Sequence, residues 1–206
     1  MRTLFLFGLL LSFRLVSSQT LVEKSIVNPR IDFIEIDATN CFDILLETIA
    51  GEEMQIEAKI DGEYHKDVML NVSEKGNTLQ VGASFQPNFI HPNDKLSAHK
   101  VVSIALLIRL PKYKSVVLNG TSCNVFAKGD YRKLEVSLND GQCTLEQISE
   151  QVEVRTQSGD ILIKADTALI QAKSKYGKLD ENTIPTGDNS YLVNSVTGNI
   201  RFIKTE

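Results

Sequence analysis

Three aspartates recur beside glycines in the second half of the chain: Asp140, Asp160 and Asp180. Convergent carboxylates about 5 to 9.5 Å apart are the machinery of glycoside cleavage. These three sit one residue before, one after and three after the nearby Gly141, Gly159 and Gly177. Such offsets scatter them along the strand direction, and turn chemistry alone accounts for Asp at these places. The histidines, His65, His91 and His99, form no H-x-x-x-H or H-E-x-x-H pair, and no C-x-x-C occurs. His91 and His99 share a segment with Asp94, short of the three or four ligands that a zinc site requires. No G-x-S-x-G elbow marks a nucleophile. The chain is therefore read as a non-enzyme with no catalytic residue, metal or cofactor. A polysaccharide-active enzyme on a β-helix scaffold is the alternative, and it would need convergent carboxylates and a bound cation.

The elements behind these residues repeat. "LEVSLNDGQCTLEQ", "VEVRTQSGDILIKA", "IQAKSKYGKLDEN" and "YLVNSVTGNIRFIK" align on Gly141, Gly159, Gly177 and Gly198, at spacings of 18, 18 and 21 residues. The longer gap holds "TIPTGDN" (183–189), a loop insertion. One step earlier, "VVLNGTSCNVFAKG" carries Cys123 at the glycine position. Apolar residues fall into columns with the same period: Val116, Leu134, Val152, Ile170 and Tyr191 in one, and Val125, Cys143, Ile161, Leu179 and Ile200 in another. Ala127, Leu145, Ile163 and Phe202 make a further column, broken by Glu181. Period-two alternation inside an 18-residue repeat implies stacked units that share a core no single unit could bury. The glycines are corners where the backbone bends sharply between two short strands. The expected fold is all-β, a right-handed parallel β-solenoid of about five rungs. An evenly spaced antiparallel sandwich is the competing architecture.

Residues 19–110 show short strands without that period, and they are expected to cap the N-terminal end of rungs spanning 111–206 in one continuous domain. "VMLNVSEKGNTLQVGA" reads as a hairpin. "SFQPNFIHPNDKLSAHK" (84–100) reads as a long loop, a place where binding residues gather. Cys123 and Cys143 are 20 residues apart, not 18, which puts their Cα atoms about 8 Å apart, past the limit for a disulfide. Cys143 should pack over Val125, and Cys41 should be a core thiol.

The first 18 residues read as a cleaved leader: Arg2, an apolar run from Leu4 to Phe13, then Val16-Ser17-Ser18. The run is too short to span a bilayer, and no transmembrane segment is expected elsewhere. Loss of Arg2 and Arg14 changes the net charge from −4 to −6. With no basic block, nucleic acid is excluded as a partner. Trp is absent and aromatics are only 7% of the residues, which is thin for stacked sugar platforms.

The opening "FIEID…FDILLE…GEEMQIEAKID", the "LLIRLPKYKSVVLNGTS" crossing and the "SGDI" and "TGNI" corners resemble the bacterial adhesin families that include the auto-transporter adhesin head GIN domain. Asn119-Gly120-Thr121 and Cys123 depart from the family's small-residue pattern there. The resemblance implies an exported right-handed β-solenoid of the cell envelope, and it carries over no catalytic residue. The expected function is an exported, non-catalytic adhesion or binding module, located in the periplasm, on the outer-membrane surface or outside the cell. Its partner would be a polysaccharide or an envelope protein; an envelope sensor or regulatory partner is a further alternative. Arg155, Lys173, Lys175 and Lys178 are the candidate contact residues. Asn71-Val72-Ser73 and Asn119-Gly120-Thr121 have the pattern of glycosylation sequons.

Overall fold

The computed structural model describes residues 20–89 and 102–205. The expected leader, and with it His91, Asp94 and His99 of the expected loop, lie outside the described residues. The chain is all-β, in two eight-stranded sheets of mixed orientation. In chain order the strands are β1 (Thr20–Val27), β2 (Phe33–Asp37), β3 (Asp43–Ile49), β4 (Glu53–Gly62), β5 (Val68–Lys75), β6 (Thr78–Phe85), β7 (Val102–Pro111) and β8 (Ser115–Ser122). Then come β9 (Asn124–Gly129), β10 (Lys133–Asp140), β11 (Gln142–Ile148), β12 (Gln151–Thr156), β13 (Asp160–Ala165), β14 (Leu169–Ser174), β15 (Ser190–Ser195) and β16 (Ile200–Lys204). The first sheet runs β1-β4-β7-β3-β9-β11-β13-β16, and the second β14-β15-β12-β10-β8-β2-β6-β5.

From β8 to β13 successive strands alternate between the two sheets, and β8, β9, β10 and β11 each pair in parallel with the strand 18 residues on. Val116 opposes Leu134, which opposes Val152. In the other sheet Val125 opposes Cys143, which opposes Ile161. These members of the columns read from the sequence are thus real neighbours, and they are buried at 3% exposure or less in a single apolar cluster. All three cysteines are buried free thiols, with Cys143 opposite Val125 as the register required. In most strands buried residues alternate with more exposed ones, as in β2, β4, β10 and β13, so one face of the pleat is buried and the other meets solvent.

Two expectations are corrected. First, the early strands do not merely cap one end. β2 lies between β6 and β8, and β3 between β7 and β9, all in parallel. Ile34 continues the column of Val116, Ile36 opposes the buried Leu118, and Ile44 and Leu46 continue the columns of Val125 and Ala127. Their membership was hidden because β4 and β5 separate them in sequence from β6 and β7. Among the described strands β1, β4 and β5 make antiparallel pairings alone, and they close that end. The β5–β6 hairpin turns through Gly76-Asn77 with φ +66° at Gly76, where a side chain would be strained.

Second, the last two units exchange places. β15 pairs directly with β12 (Val152 opposite Tyr191), and β14 lies outside it (Ile170 opposite Tyr191). The companion of β14 in the first sheet shrinks to one bridge, Leu179 to Ile200, because Glu181 stands where an inward apolar residue is needed. β15 and β16 can cover both sheets, so they take the inner place.

The corner glycines stack in that spatial order. A Cβ on Gly141 would lie 2.2 Å from the Cys123 carbonyl oxygen, on Gly159 2.9 Å from that of Gly141, on Gly198 2.1 Å from that of Gly159, and on Gly177 2.1 Å from that of Gly198. Only Gly141 among the four has a positive φ, +100°. The requirement for glycine here is therefore mainly close approach of neighbouring corners rather than a left-handed backbone.

Candidate functional site

The outward residues of the second sheet line up across all eight strands. One row reads Asn71, Gly82, Asp37, Asn119, Ser137, Arg155, Asn194, Lys173. The row beside it begins Ser73, Gln80, Glu35, Val117. Strand spacing of about 4.8 Å places each member next to the one before. Gly82 contributes no side chain, so the row has a gap between Asn71 and Asp37. That gap is the floor of an open cavity of about 600 Å³.

The rim is polar and partly organised. Gln80 Nε2 donates to Glu35 Oε2 at 2.8 Å, and Asn71 Nδ2 donates to Ser84 Oγ at 2.7 Å. Asp37 Oδ1 accepts the Thr39 amide at 3.0 Å, which also ties the carboxylate to the β2–β3 corner. Among the described residues no lysine or arginine lines the cavity. Val117 adds one apolar surface beside Asn119.

The outward face of the first sheet contrasts with this. Its row Arg109, Glu47, Lys128, Glu146, Lys164 alternates in sign. Lys128 Nζ lies 2.8 Å from Glu146, Lys164 3.5 Å from the same carboxylate, and Arg109 3.7 Å from Glu47. The hydrogen bond from Lys128 holds the Glu146 carboxyl below the usual carboxylate range. That ladder satisfies itself. A second cavity, of about 370 Å³, lies at the opposite corner. Its Asp130 is engaged by Lys112 Nζ at 2.7 Å and Ser149 Oγ at 2.6 Å, and both hydrogen bonds lower its pKa.

The four cations expected to carry contacts do not converge. Arg155 and Lys173 share the long row with Asn194 between them, and Arg155 is ion-paired with Glu153. Lys175 sits over the Tyr176 ring at 4.8 Å, and Lys178 pairs with Asp180 at 3.0 Å; both lie beyond the end of β14. The three aspartates are likewise engaged. Asp140 accepts from Ser158 Oγ at 3.2 Å, and Asp160 Oδ1 accepts from the Asn199 amide at 2.7 Å. They lie on different sheets. Among the described residues no group of three or more His, Cys, Asp or Glu is arranged to hold a metal ion. His65 lies in a short 3-10 turn with Nδ1 2.8 Å from the Gly62 carbonyl. No helix among the described residues is long and apolar enough to cross a membrane.

The residues around Gly82 were not singled out together from the sequence. Asn71 and Asn119 stand out there only as sequons, and nothing local reveals that residues 37, 82 and 119 are adjacent. A glycine at an outward position of a strand was the one available signal, since such a residue marks a close approach or a missing side chain.

No family model matches the chain, and no curated protein matches it in sequence. Among solved structures, a "putative cell adhesion protein" from Clostridium sporogenes superimposes with a TM-score of 0.64 at 13% identity, over 91% of this chain and 100% of the other. The two chains share a fold. More distant are a "putative adhesin" from Parabacteroides distasonis (TM-score 0.40, 12% identity, 91% and 98% covered) and one from Bacteroides fragilis (TM-score 0.38, 14% identity, 89% and 97% covered).

Proposed function

We propose that this chain is an exported, non-catalytic binding module of the cell envelope or cell surface. Its leader would be cleaved before Gln19, and residues 19–206 would form one domain coiled as a right-handed β-solenoid. The outer face of the second sheet would hold its partner, a polysaccharide or an envelope protein. The observation that carries this reading is the row of hydrogen-bonding side chains that crosses all eight strands and opens into a cavity at Gly82. A rigid, extended polar face of this kind suits many weak contacts with a long partner. The adhesion role ascribed to the clostridial protein of the same fold points the same way. Hydrolysis is disfavoured because Asp140, Asp160 and Asp180 are each held in corner hydrogen bonds or an ion pair.

The test is to express the full sequence, purify the exported chain, and incubate it with neutral and acidic polysaccharides with and without Ca²⁺. Polymer length and protein co-elution are followed by size-exclusion chromatography. Co-elution with unshortened polymer is the expected result. Shortened polymer would overturn the non-catalytic reading, and failure to co-elute with any polymer would remove polysaccharide as the partner.

A further inference from the structure

Resting on the binding reading just given, we propose that the cavity at Gly82 is a subsite for one neutral sugar unit within a longer glycan. The first argument is size. Asn71 and Asp37 flank Gly82 at two strand spacings, so about 9.6 Å separates their backbones with no side chain between them. That gap, within a cavity of about 600 Å³, admits a pyranose ring lying on the sheet. The cavity is open, so the polymer can enter and leave along the row toward Ser137 and Asn194.

The second argument is chemistry. Neighbouring sugar hydroxyls each donate one hydrogen and accept others, and they pair best with carboxylates and side-chain amides, which supply acceptors and mixed donor–acceptor groups. Glu35, Asp37, Asn71 and Asn119 are that set. Each carboxylate already accepts one hydrogen, from Gln80 and from the Thr39 amide, and keeps further lone pairs for hydroxyls. Val117 offers an apolar contact for the C–H face of a ring.

Charge makes the third argument, and it selects among glycans. Among the described residues the rim carries two carboxylates and no cation, so a uronate or sulfated unit would bring like charge beside them. A neutral hexose incurs no such repulsion.

The experiment compares retention on a neutral β-glucan and a galactomannan with retention on polygalacturonate, and then titrates soluble neutral oligosaccharides calorimetrically. Asp37→Ala, Asn71→Ala and Asn119→Ala remove outward groups without touching the core, and circular dichroism checks each fold. Neutral polymers should be retained and polygalacturonate should not. Each variant should weaken neutral binding about 2- to 10-fold, one hydrogen bond's worth, and Lys164→Gln, on the outer face of the first sheet, should leave it unchanged. Preferential retention on polygalacturonate would overturn the inference while leaving a binding module in place. So would neutral binding that is indifferent to all three rim variants. Absence of retention on every polymer would overturn the sugar subsite and remove polysaccharide as the module's partner.

Discussion

At the scale of single residues, burial decides chemistry. Cys41, Cys123 and Cys143 have their thiol pKa values pushed up to about 12, first by burial and then by acidic or thiol neighbours. A thiolate is the reactive form. At pH 8 the folded protein should therefore resist a disulfide reagent such as dithiobis-nitrobenzoate, and all three thiols should react once it is denatured. Rapid release of chromophore from folded protein would contradict this placement of the cysteines. A second residue-scale prediction concerns the hydroxyls three residues before the corner glycines, Thr156, Ser174 and Ser195. Thr156 Oγ1 lies 2.7 Å from the Gly159 carbonyl oxygen and shares a 2.8 Å hydrogen bond with Ser195 Oγ, which accepts the Gly198 amide at 2.9 Å. Thr156 and Ser195 are buried, at 5% and 6% exposure. Thr156→Val keeps the shape and strands a buried carbonyl, so it should cost about 1–3 kcal/mol. Urea unfolding reads this as a lowered midpoint at constant slope, and an unmoved midpoint would show that the hydroxyl is dispensable. The T-x-x-G and S-x-x-G spacings stand in the sequence, yet their meaning emerges only when adjacent corners are seen to share the hydrogen bonds.

At the scale of elements, the strand columns were legible and the reason for the glycines was only half legible. Val116, Leu134 and Val152 align in sequence as they do in the sheet because a parallel neighbour one unit on preserves register. A corner glycine also announces itself, but sequence cannot distinguish a need for positive φ from a need for close approach. The structure assigns positive φ to Gly141 and close approach to all four. The distinction is testable at Gly198, where a Cβ would come within 2.1 Å of a backbone carbonyl oxygen that cannot swing aside. Gly198→Ala should destabilise by about 1–3 kcal/mol, the usual cost of overpacking, and should do so by prising β15–β16 from β12–β13. Denaturant midpoints measure the loss. A midpoint equal to that of the parent would mean that the corners have room to spare. The cavity at Gly82 was illegible for a related reason. Its members belong to β2, β5, β6 and β8, and only the pairing of Asp37 with both Gly82 and Asn119 makes them a site.

At the scale of the whole molecule, chain order and spatial order part company twice, and both departures follow from which segments can cover two sheets at once. β2 and β3 together place Ile34, Ile36, Ile44 and Leu46 at 1% exposure or less, so they belong to the interior of the stack, although they lie near the start of the described chain. β14 supplies only half-buried Ile170 and Ala172 to the core and is left at an edge, although two strands follow it in sequence. Edge strands open locally at little free-energy cost, whereas strands paired on both sides open only with the global unfolding of the domain. Amide hydrogen exchange followed by mass spectrometry should accordingly rank residues 33–49 with β8–β11 among the slowest, and β1, β5 and β14 among the fastest. If the early strands were instead a detachable cover, peptides from 33–49 would exchange as early as those of β1. The ranking thus separates a chain whose first half only closes the stack from one whose first half supplies its middle, and the parallel pairing of Ile34 with Val116 and of Ile44 with Val125 requires the second.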